Sequence, residues 1–157
     1  MKPLSGVGDP DIALREFESI VEERLKGRVA LIILFGSRVS GRHTPMSDVD
    51  VAVYPSNPGI GEKLLLTADV MEAASRAFGV AEDRVDVVFL DEELPLELAF
   101  EILSRGRLVY CENRELYSEL RARVLSKYLD FKVFAEKLAI HEEYLKAVRR
   151  RVEGWGR

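Results

Sequence analysis

The sequence contains few of the residues on which several classes of protein depend. A single cysteine, Cys111, stands among its 157 residues, which excludes an internal disulfide and a cysteine-rich zinc site. Glutamine is absent and asparagine occurs only twice, whereas arginine and glutamate are abundant. This composition is typical of proteins that work at high temperature, and compositional drift in a short chain is the alternative.

Long hydrophobic segments are also missing. The longest uninterrupted apolar run, Val29 to Phe35, has seven residues, far fewer than the ~18 that a membrane-spanning helix needs. The first ten residues, MKPLSGVGDP, lack the apolar core of a secretion signal. We therefore expect a cytoplasmic protein that does not bind membranes.

Positive charge is not in excess either. The chain has 27 acidic and 23 basic side chains, for a net charge of −4. Neutralising phosphates supplies most of the affinity of proteins for duplex nucleic acid, so nucleic acid is not the expected partner. The length and the 47% hydrophobic content fit one globular domain with a sizeable core.

Predicted helices and strands alternate along the first two-thirds of the chain. The unbroken apolar run from Val29 to Phe35 indicates a central strand that is covered on both faces. The turn-rich residues 36–47 predict a loop. The other predicted strands are residues 49–54, 84–90 and 108–110, and the predicted helices are residues 10–26, 62–78 and 95–105. This alternation indicates the α/β class.

The last third of the chain is predicted to be helical throughout. Apolar residues recur there at steps of three or four, and no glycine or proline interrupts them between Asn113 and Val152. Such a helix would be about 60 Å long, whereas a compact protein of this size is about 40 Å across. The helix therefore breaks near Asp130, folds back as a hairpin, or projects toward a partner or a second copy. We divide the chain into a core (residues 1–112) and a helical extension (residues 113–157).

Three aspartates occupy positions where strands are predicted. Asp48 and Asp50 are two residues apart, so their side chains lie on the same face of a strand. Asp50 and Asp86 each stand alone within an apolar run. A carboxylate in such surroundings must be paired, protonated or bound to a metal. If the two strands are neighbours, the three carboxylates converge and predict a site for Mg²⁺ or Mn²⁺.

Gly36 and Ser37 follow the first strand directly. Glycine lets the backbone approach a ligand closely, the serine hydroxyl adds a donor, and amides at the start of a helix favour an anion. The spacing of a P-loop is absent, and so is a dinucleotide-binding fingerprint. The pair is therefore a candidate for binding phosphate groups in another type of site.

Together these residues resemble the signature of the DNA polymerase β-like nucleotidyltransferase superfamily. Gly36-Ser37, ten intervening residues, Asp48-Val49-Asp50 and a third acid, Asp86, follow its spacing. The short chain and the long C-terminal helix with KYLDFK (residues 127–132) resemble its minimal branch. Members of that branch, the MNT proteins, are antitoxins encoded beside HEPN toxins.

The resemblance implies a fold, a reaction and a role for each site residue. The fold is a small mixed sheet flanked by helices, and the reaction is transfer of AMP from ATP to a tyrosine of a HEPN toxin. Gly36 and Ser37 would bind the β- and γ-phosphates. Asp48, Asp50 and Asp86 would bind two Mg²⁺ ions, and Asp86 would also help to deprotonate the acceptor hydroxyl.

Each candidate residue also has a structural alternative. Arg38 and Ser47 are candidate contacts to the nucleotide, and solvated loop residues are the alternative. Asp50 and Asp86 could instead pair with Arg38, Arg42 or Arg84 in an ion network. His43, His141 and Cys111 are interpreted as structural or exposed residues.

Two other functions compete with protein nucleotidylation. A binding module could neutralise a toxin by contact alone, as the long amphipathic helix suggests. A nucleotidyltransferase acting on small molecules such as aminoglycosides is the other, although the short chain leaves little room for an acceptor pocket.

Overall fold

The computed structural model describes residues 9–42, 44, 47–57 and 59–155. In this part of the chain, strands and helices alternate as the sequence predicts. The strands are β1 (Val29–Phe35), β2 (Val49–Pro55), β3 (Val85–Phe89) and β4 (Arg107–Cys111). The helices are α1 (Pro10–Arg24), α2 (Ser37–Ser40), α3 (Ile60–Phe78), α4 (Leu96–Arg105) and α5 (Arg114–Trp155).

The four strands form one mixed sheet in the order β3-β2-β1-β4. Strand β1 pairs antiparallel with both β2 and β4, and β2 pairs in parallel with β3. All seven residues of β1 are buried, which confirms the prediction of a central strand covered on both faces. The α/β class and the mixed sheet are confirmed.

Alternate residues of the central strands enter two separate hydrophobic cores. Val49, Val51 and Val53 of β2 pack with the apolar faces of α1 and α3. Ala52 points to the opposite face and packs with Ile102 and Leu103 of α4 and with the first turns of α5. This alternation fixes the direction of every side chain on β2, including its acidic ones.

Helix α2 lies within residues 36–47, for which the sequence predicts a loop. It has four residues and follows β1 after the single residue Gly36. The carbonyl of Gly36 accepts hydrogen bonds from the amides of Val39 and Ser40, at 3.1 Å and 3.2 Å. The short helix therefore begins where the predicted phosphate-binding pair lies.

Helix α5 is continuous over 42 residues, so the predictions of a break near Asp130 and of a hairpin are both wrong. Its first turns pack on α4, where Tyr128 stacks on Phe100 with ring centroids 3.9 Å apart. From Leu129 to Trp155 every side chain is exposed. This half of the helix projects about 40 Å beyond the rest of the structure.

Strand β4 ends at Cys111 and α5 begins at Arg114, close to the predicted boundary between residues 112 and 113. The division of this single domain into a core and a helical extension stays a prediction. Among the described residues, no helix is both long and apolar enough to cross a membrane.

Candidate active site

The sheet brings two of the predicted acids side by side. Strand register places Asp50 opposite Phe35 of β1 on one side and opposite Asp86 of β3 on the other. Neighbouring strands lie about 4.8 Å apart, so the backbones of the two aspartates are adjacent. The condition on which the convergence of the carboxylates depends, that the two acidic strands are neighbours, is met.

Asp50 lies on the face of the sheet that carries α4, because its neighbours Val49 and Val51 point into the core beneath α1 and α3. Asp48 lies directly before β2, close enough for its charge to act on Asp50. Asp50 is half-buried, whereas Asp48 and Asp86 are exposed. The expectation that Asp86, like Asp50, lies in apolar surroundings is therefore wrong, because its side chain is exposed.

Asp50 is electrostatically unfavourable when ionised. Burial raises the pKa of its carboxyl group, and the negative charges of Asp86 and Asp48 raise it further. Each influence that shifts this pKa raises it, whereas an ion pair with an arginine would lower it. At the Asp50 carboxylate, the structure thus favours an acidic cluster over an ion pair with an arginine.

Gly36 contacts the Asp50 carboxylate across the β1–β2 pair. Its φ of 79° lies in the region that favours glycine, and a Cβ atom at this position would collide with Asp50 Oδ2. Both constraints require glycine at this position. The backbone at the end of β1 and the start of α2 therefore lies directly against the central acid.

Ser37 is half-buried and is the first residue of α2. Its carbonyl accepts a hydrogen bond from Ser40 Oγ at 3.2 Å. The structure thus places the predicted Gly-Ser pair beside Asp50. Binding of phosphates by this pair stays a prediction.

Arg38 and Ser47 bind to each other rather than standing open to solvent. An Arg38 guanidinium nitrogen donates to the Ser47 carbonyl at 3.0 Å, and the guanidinium lies 5.8 Å from the ring centroid of Phe78. Ser47 Oγ accepts from the Thr44 amide at 2.9 Å. These contacts hold Ser47, which directly precedes Asp48. A contact of either residue with a nucleotide stays a prediction.

The chemistry of the acidic cluster fits a hard divalent cation. Carboxylate oxygens are the ligands that Mg²⁺ prefers, and a cation beside Asp50 would offset the repulsion that raises its pKa. In the part of the chain that the structure describes, no three His, Cys, Asp or Glu side chains already converge on one metal position. Asp48 and Asp86 are exposed, and their charges both act on Asp50.

The other chemically notable residues lie away from this cluster. His141 is exposed on the projecting half of α5, and Cys111 is half-buried at the end of the edge strand β4. His43 lies outside the described residues. These positions agree with the interpretation of His141 and Cys111 as structural or exposed residues.

A cavity that the sequence did not predict lies at the opposite end of β2. It has a volume of about 760 Å³ and is bounded by the end of β2, the segment after β3, and helices α3, α4 and α5. Tyr54 in its wall is four residues, or about 13 Å, from Asp50 along the strand. Lys63 donates to Asp91 Oδ2 at 2.9 Å beside it. No local sequence pattern could have revealed it, because residues from five distant segments form its wall.

The chain matches the family model of the polymerase beta nucleotidyltransferase domain over residues 18–115. This region contains Gly36, Ser37 and all three aspartates of the candidate site. A search of curated proteins finds no match.

Solved structures of similar fold come from toxin–antitoxin complexes. A chain of the MntA-HepT complex is 17% identical, with a TM-score of 0.56, and the alignment covers 86% of this chain and 98% of that chain. A chain of the complex between tri-AMPylated Shewanella oneidensis HEPN toxin and MNT antitoxin is 18% identical, with a TM-score of 0.57 and coverages of 87% and 99%. A chain of a toxin–antitoxin structure with AMP-PNP is 19% identical, with a TM-score of 0.59 and coverages of 84% and 98%. At these identities, the similarity is one of fold.

Proposed function

Because this chain belongs to the polymerase beta nucleotidyltransferase family, we propose that it transfers AMP from ATP to a tyrosine hydroxyl of a HEPN toxin. The protein would thereby inactivate the toxin and act as an MNT antitoxin in the cytoplasm. The observation that carries this proposal is the row formed by Gly36, Asp50 and Asp86, with the charge of Asp48 acting on Asp50 from the residue before β2.

The partner and the nucleotide are proposed from the solved structures of similar fold. Among these are a tri-AMPylated HEPN toxin with its MNT antitoxin and a toxin–antitoxin structure with AMP-PNP. Each resembles this chain over more than four-fifths of its length. An adenine nucleotide as donor and a protein hydroxyl as acceptor are therefore the chemistry to test first.

The acidic cluster provides the ligands for Mg²⁺. Asp48, Asp50 and Asp86 would hold the metal, with two ions for three carboxylates and a triphosphate. When bound, Mg²⁺ supplies positive charge that offsets the charge of the triphosphate. Asp50, with its unfavourable charge in the folded protein, would be the central ligand between the other two.

The remaining residues orient the nucleotide and receive a proton. Gly36 would let the β- and γ-phosphates approach the backbone beside Asp50, and Ser37 would donate its hydroxyl to them. The acceptor oxygen then forms a bond to the α-phosphorus while the bond to the β-phosphate oxygen breaks and pyrophosphate leaves. Asp86, exposed at the rim of the row, would accept the proton of the acceptor hydroxyl.

The test is the mass of the partner after reaction. The protein is incubated with ATP, Mg²⁺ and the HEPN protein encoded beside it, and the partner is weighed by mass spectrometry. We expect the partner to gain mass in whole AMP units and to lose its toxicity. An unchanged partner mass at full complex formation would contradict the proposal.

The alternative of neutralisation by binding alone is favoured by one observation, the exposed apolar half of α5. The double variant Asp48→Asn/Asp50→Asn separates the two functions, and Asp83→Asn, an exposed acid near β3, is the matched control. Protection that persists in the double variant indicates binding alone. Protection that is lost while the complex remains intact indicates catalysis.

A further inference from the structure

The projecting half of α5 carries a regular apolar seam. We define the α5 seam as the residues at alternating steps of three and four, namely Phe131, Phe134, Leu138, His141, Leu145, Val148, Val152 and Trp155. Seven of the eight are apolar and exposed, and Trp155 is the most exposed of them, at 84%. A strict repeat of 3.5 residues is typical of helices that pair with another helix in a left-handed coiled coil.

The α5 seam continues into the cavity at the end of β2. Moving toward the start of α5, the same steps reach Lys127, Val124 and Leu120, and all three line the cavity. Buried Leu103 contributes to the cavity wall. One continuous surface therefore runs from a partly apolar cavity along the helix to an exposed tryptophan at the other end.

We propose that the α5 seam pairs antiparallel with the α5 seam of a second copy of this chain, and that Trp155 of each copy enters the cavity of the other. The proposal does not depend on the proposed transfer reaction. Specific interfaces bury about 800 Å² per partner, and the seam contributes seven exposed apolar side chains, three of them aromatic, to such an interface. The symmetric arrangement is the commonest one among homodimers.

The packing of α5 on its own domain selects the antiparallel direction. The face of α5 that forms the seam is the same face that packs on α4 and the sheet through Leu120 and Val124. In a parallel pair, each copy's core would occupy the space of the other copy's core. In an antiparallel pair, the two cores lie at opposite ends of the shared helices.

Charges beside the seam select one register. In the register that pairs Trp155 with Val124 of the second copy across the seam, the flanking residue Asp130 lies next to the flanking residue Arg151 of that copy. The symmetry of the dimer gives this charge pair twice. A shift of one heptad, which places Trp155 opposite Phe131, would bring Lys137 and Arg151 together instead. In the proposed register, Arg123 and Lys127 at the cavity also lie beside the indole of Trp155 from the second copy. Their positive charges would stabilise the aromatic ring there through cation–π interactions.

Trp155 is the only tryptophan in the chain, so its fluorescence reports the proposed contact directly. We expect sedimentation equilibrium to give twice the 17.8 kDa mass of the chain at micromolar concentration. We expect the emission of Trp155 to shift to shorter wavelength as the concentration rises. A monomer with the emission of a solvent-exposed indole across this range would overturn the proposal.

Variants on opposite faces of the helix test the seam. Phe134→Glu with Leu138→Glu should weaken dimerisation by at least about 100-fold, because charges enter the centre of the paired seam. Leu129→Glu places a single charge on the far side of the helix and should leave the dimer unchanged, whereas Leu138→Glu alone should already weaken it. Equal effects of both changes would contradict pairing through the seam, and circular dichroism verifies that each variant stays helical.

A charge exchange tests the register. Arg151→Asp should weaken the dimer several-fold, and adding Asp130→Arg should restore it. Failure of the second change to restore binding would reject this register and, with it, the entry of Trp155 into the cavity. A chain that stays monomeric alone and buries Trp155 only when the HEPN protein is added would overturn the proposal in favour of a different partner.

Discussion

The two halves of α5 follow one hydrophobic repeat but lie in different surroundings. Tyr117, Leu120 and Val124 in the first half pack against α4 and the sheet, whereas Phe134 and Leu138 in the second half are exposed. The repeat therefore determines which face of the helix is apolar, and the rest of the molecule determines whether that face is covered. Packing in the covered region stabilises the fold, and association is proposed for the uncovered one.

The largest effect expected within this comparison concerns catalysis. Asp50→Asn should lower the rate of AMP transfer by about 10³-fold, because the central metal ligand is lost. Dimerisation through α5 should not change. Kinetics of partner modification together with sedimentation measure both, and Asp83→Asn is the control.

The stability of the same Asp50→Asn variant distinguishes lost chemistry from unfolding. The raised pKa of Asp50 means that its ionised form is disfavoured in the folded state. Stability from this group is thus present at low pH and falls as the pH rises above its unfolded pKa. At neutral pH without Mg²⁺, the melting temperature of the variant should rise by about 1–3 °C. A lower melting temperature would contradict the electrostatic account.

One substitution made in each region gives the next largest contrast. Leu103→Ala removes a leucine that is 1% exposed and should reduce the free energy of unfolding by about 2–5 kcal/mol. Leu138 is 46% exposed, so Leu138→Ala should reduce it by less than about 1 kcal/mol in the monomer. Urea denaturation at a protein concentration too low for dimerisation measures the free energy of unfolding of both variants. Equal losses would show that the projecting half is packed in solution.

Two glycines with similar backbone angles separate backbone strain from crowding at the site. Gly36 and Gly41 have φ values of 79° and 75°, but only at Gly36 would a Cβ meet Asp50. Gly41→Ala should reduce stability by about 1 kcal/mol, and Gly36→Ala by about 1–3 kcal/mol with loss of transfer activity. Thermal denaturation and activity assays measure these effects. If the two variants behave alike, the contact between Gly36 and Asp50 is not important.

The smallest effect concerns ion pairs in the two regions. The Lys63 ammonium group lowers the pKa of Asp91, so this pair stabilises the fold above the unfolded pKa of the acid, and the contribution is lost as the pH falls. Asp91→Asn should remove that part of the pH dependence, at less than about 1 kcal/mol. The exposed pair Lys146–Glu143 on the projecting half should contribute nothing measurable. Chemical denaturation between pH 3 and pH 7 measures the free energy of unfolding of Asp91→Asn and of Glu143→Gln. If this free energy depends on pH equally in both variants, the difference between the two ion pairs is contradicted.

Local sequence patterns predicted most of the fold because they depend on contacts within each element. The apolar run of β1 and the helical repeats of α3 and α5 follow directly from residue spacing. The spacing between Gly36 and Asp50 also identified the family. The pairing of β2 with β3, which brings Asp86 to Asp50, was a condition that only the structure could meet.

Other features depended on contacts between distant segments and could not be read from spacing. Asp86 stands in an apolar run yet is exposed, because β3 is an edge strand of the sheet. Arg38 is engaged by Ser47 and Phe78, which no pattern indicates. A broken helix, a hairpin and a projecting helix would each satisfy the hydrophobic repeat of α5, so the sequence did not select one of them.

Calorimetric titration of the protein with a non-hydrolysable ATP analogue, in Mg²⁺ and then in EDTA, tests the candidate site most directly. If the carboxylates around Asp50 hold Mg²⁺ for a nucleotide, the unmodified chain binds the analogue tightly in Mg²⁺. Its affinity then falls by at least about tenfold in EDTA, and the Asp50→Asn variant shows the same loss. Equal affinity in all three cases would mean that the carboxylates around Asp50 hold no metal for a nucleotide, and the proposed reaction would be wrong.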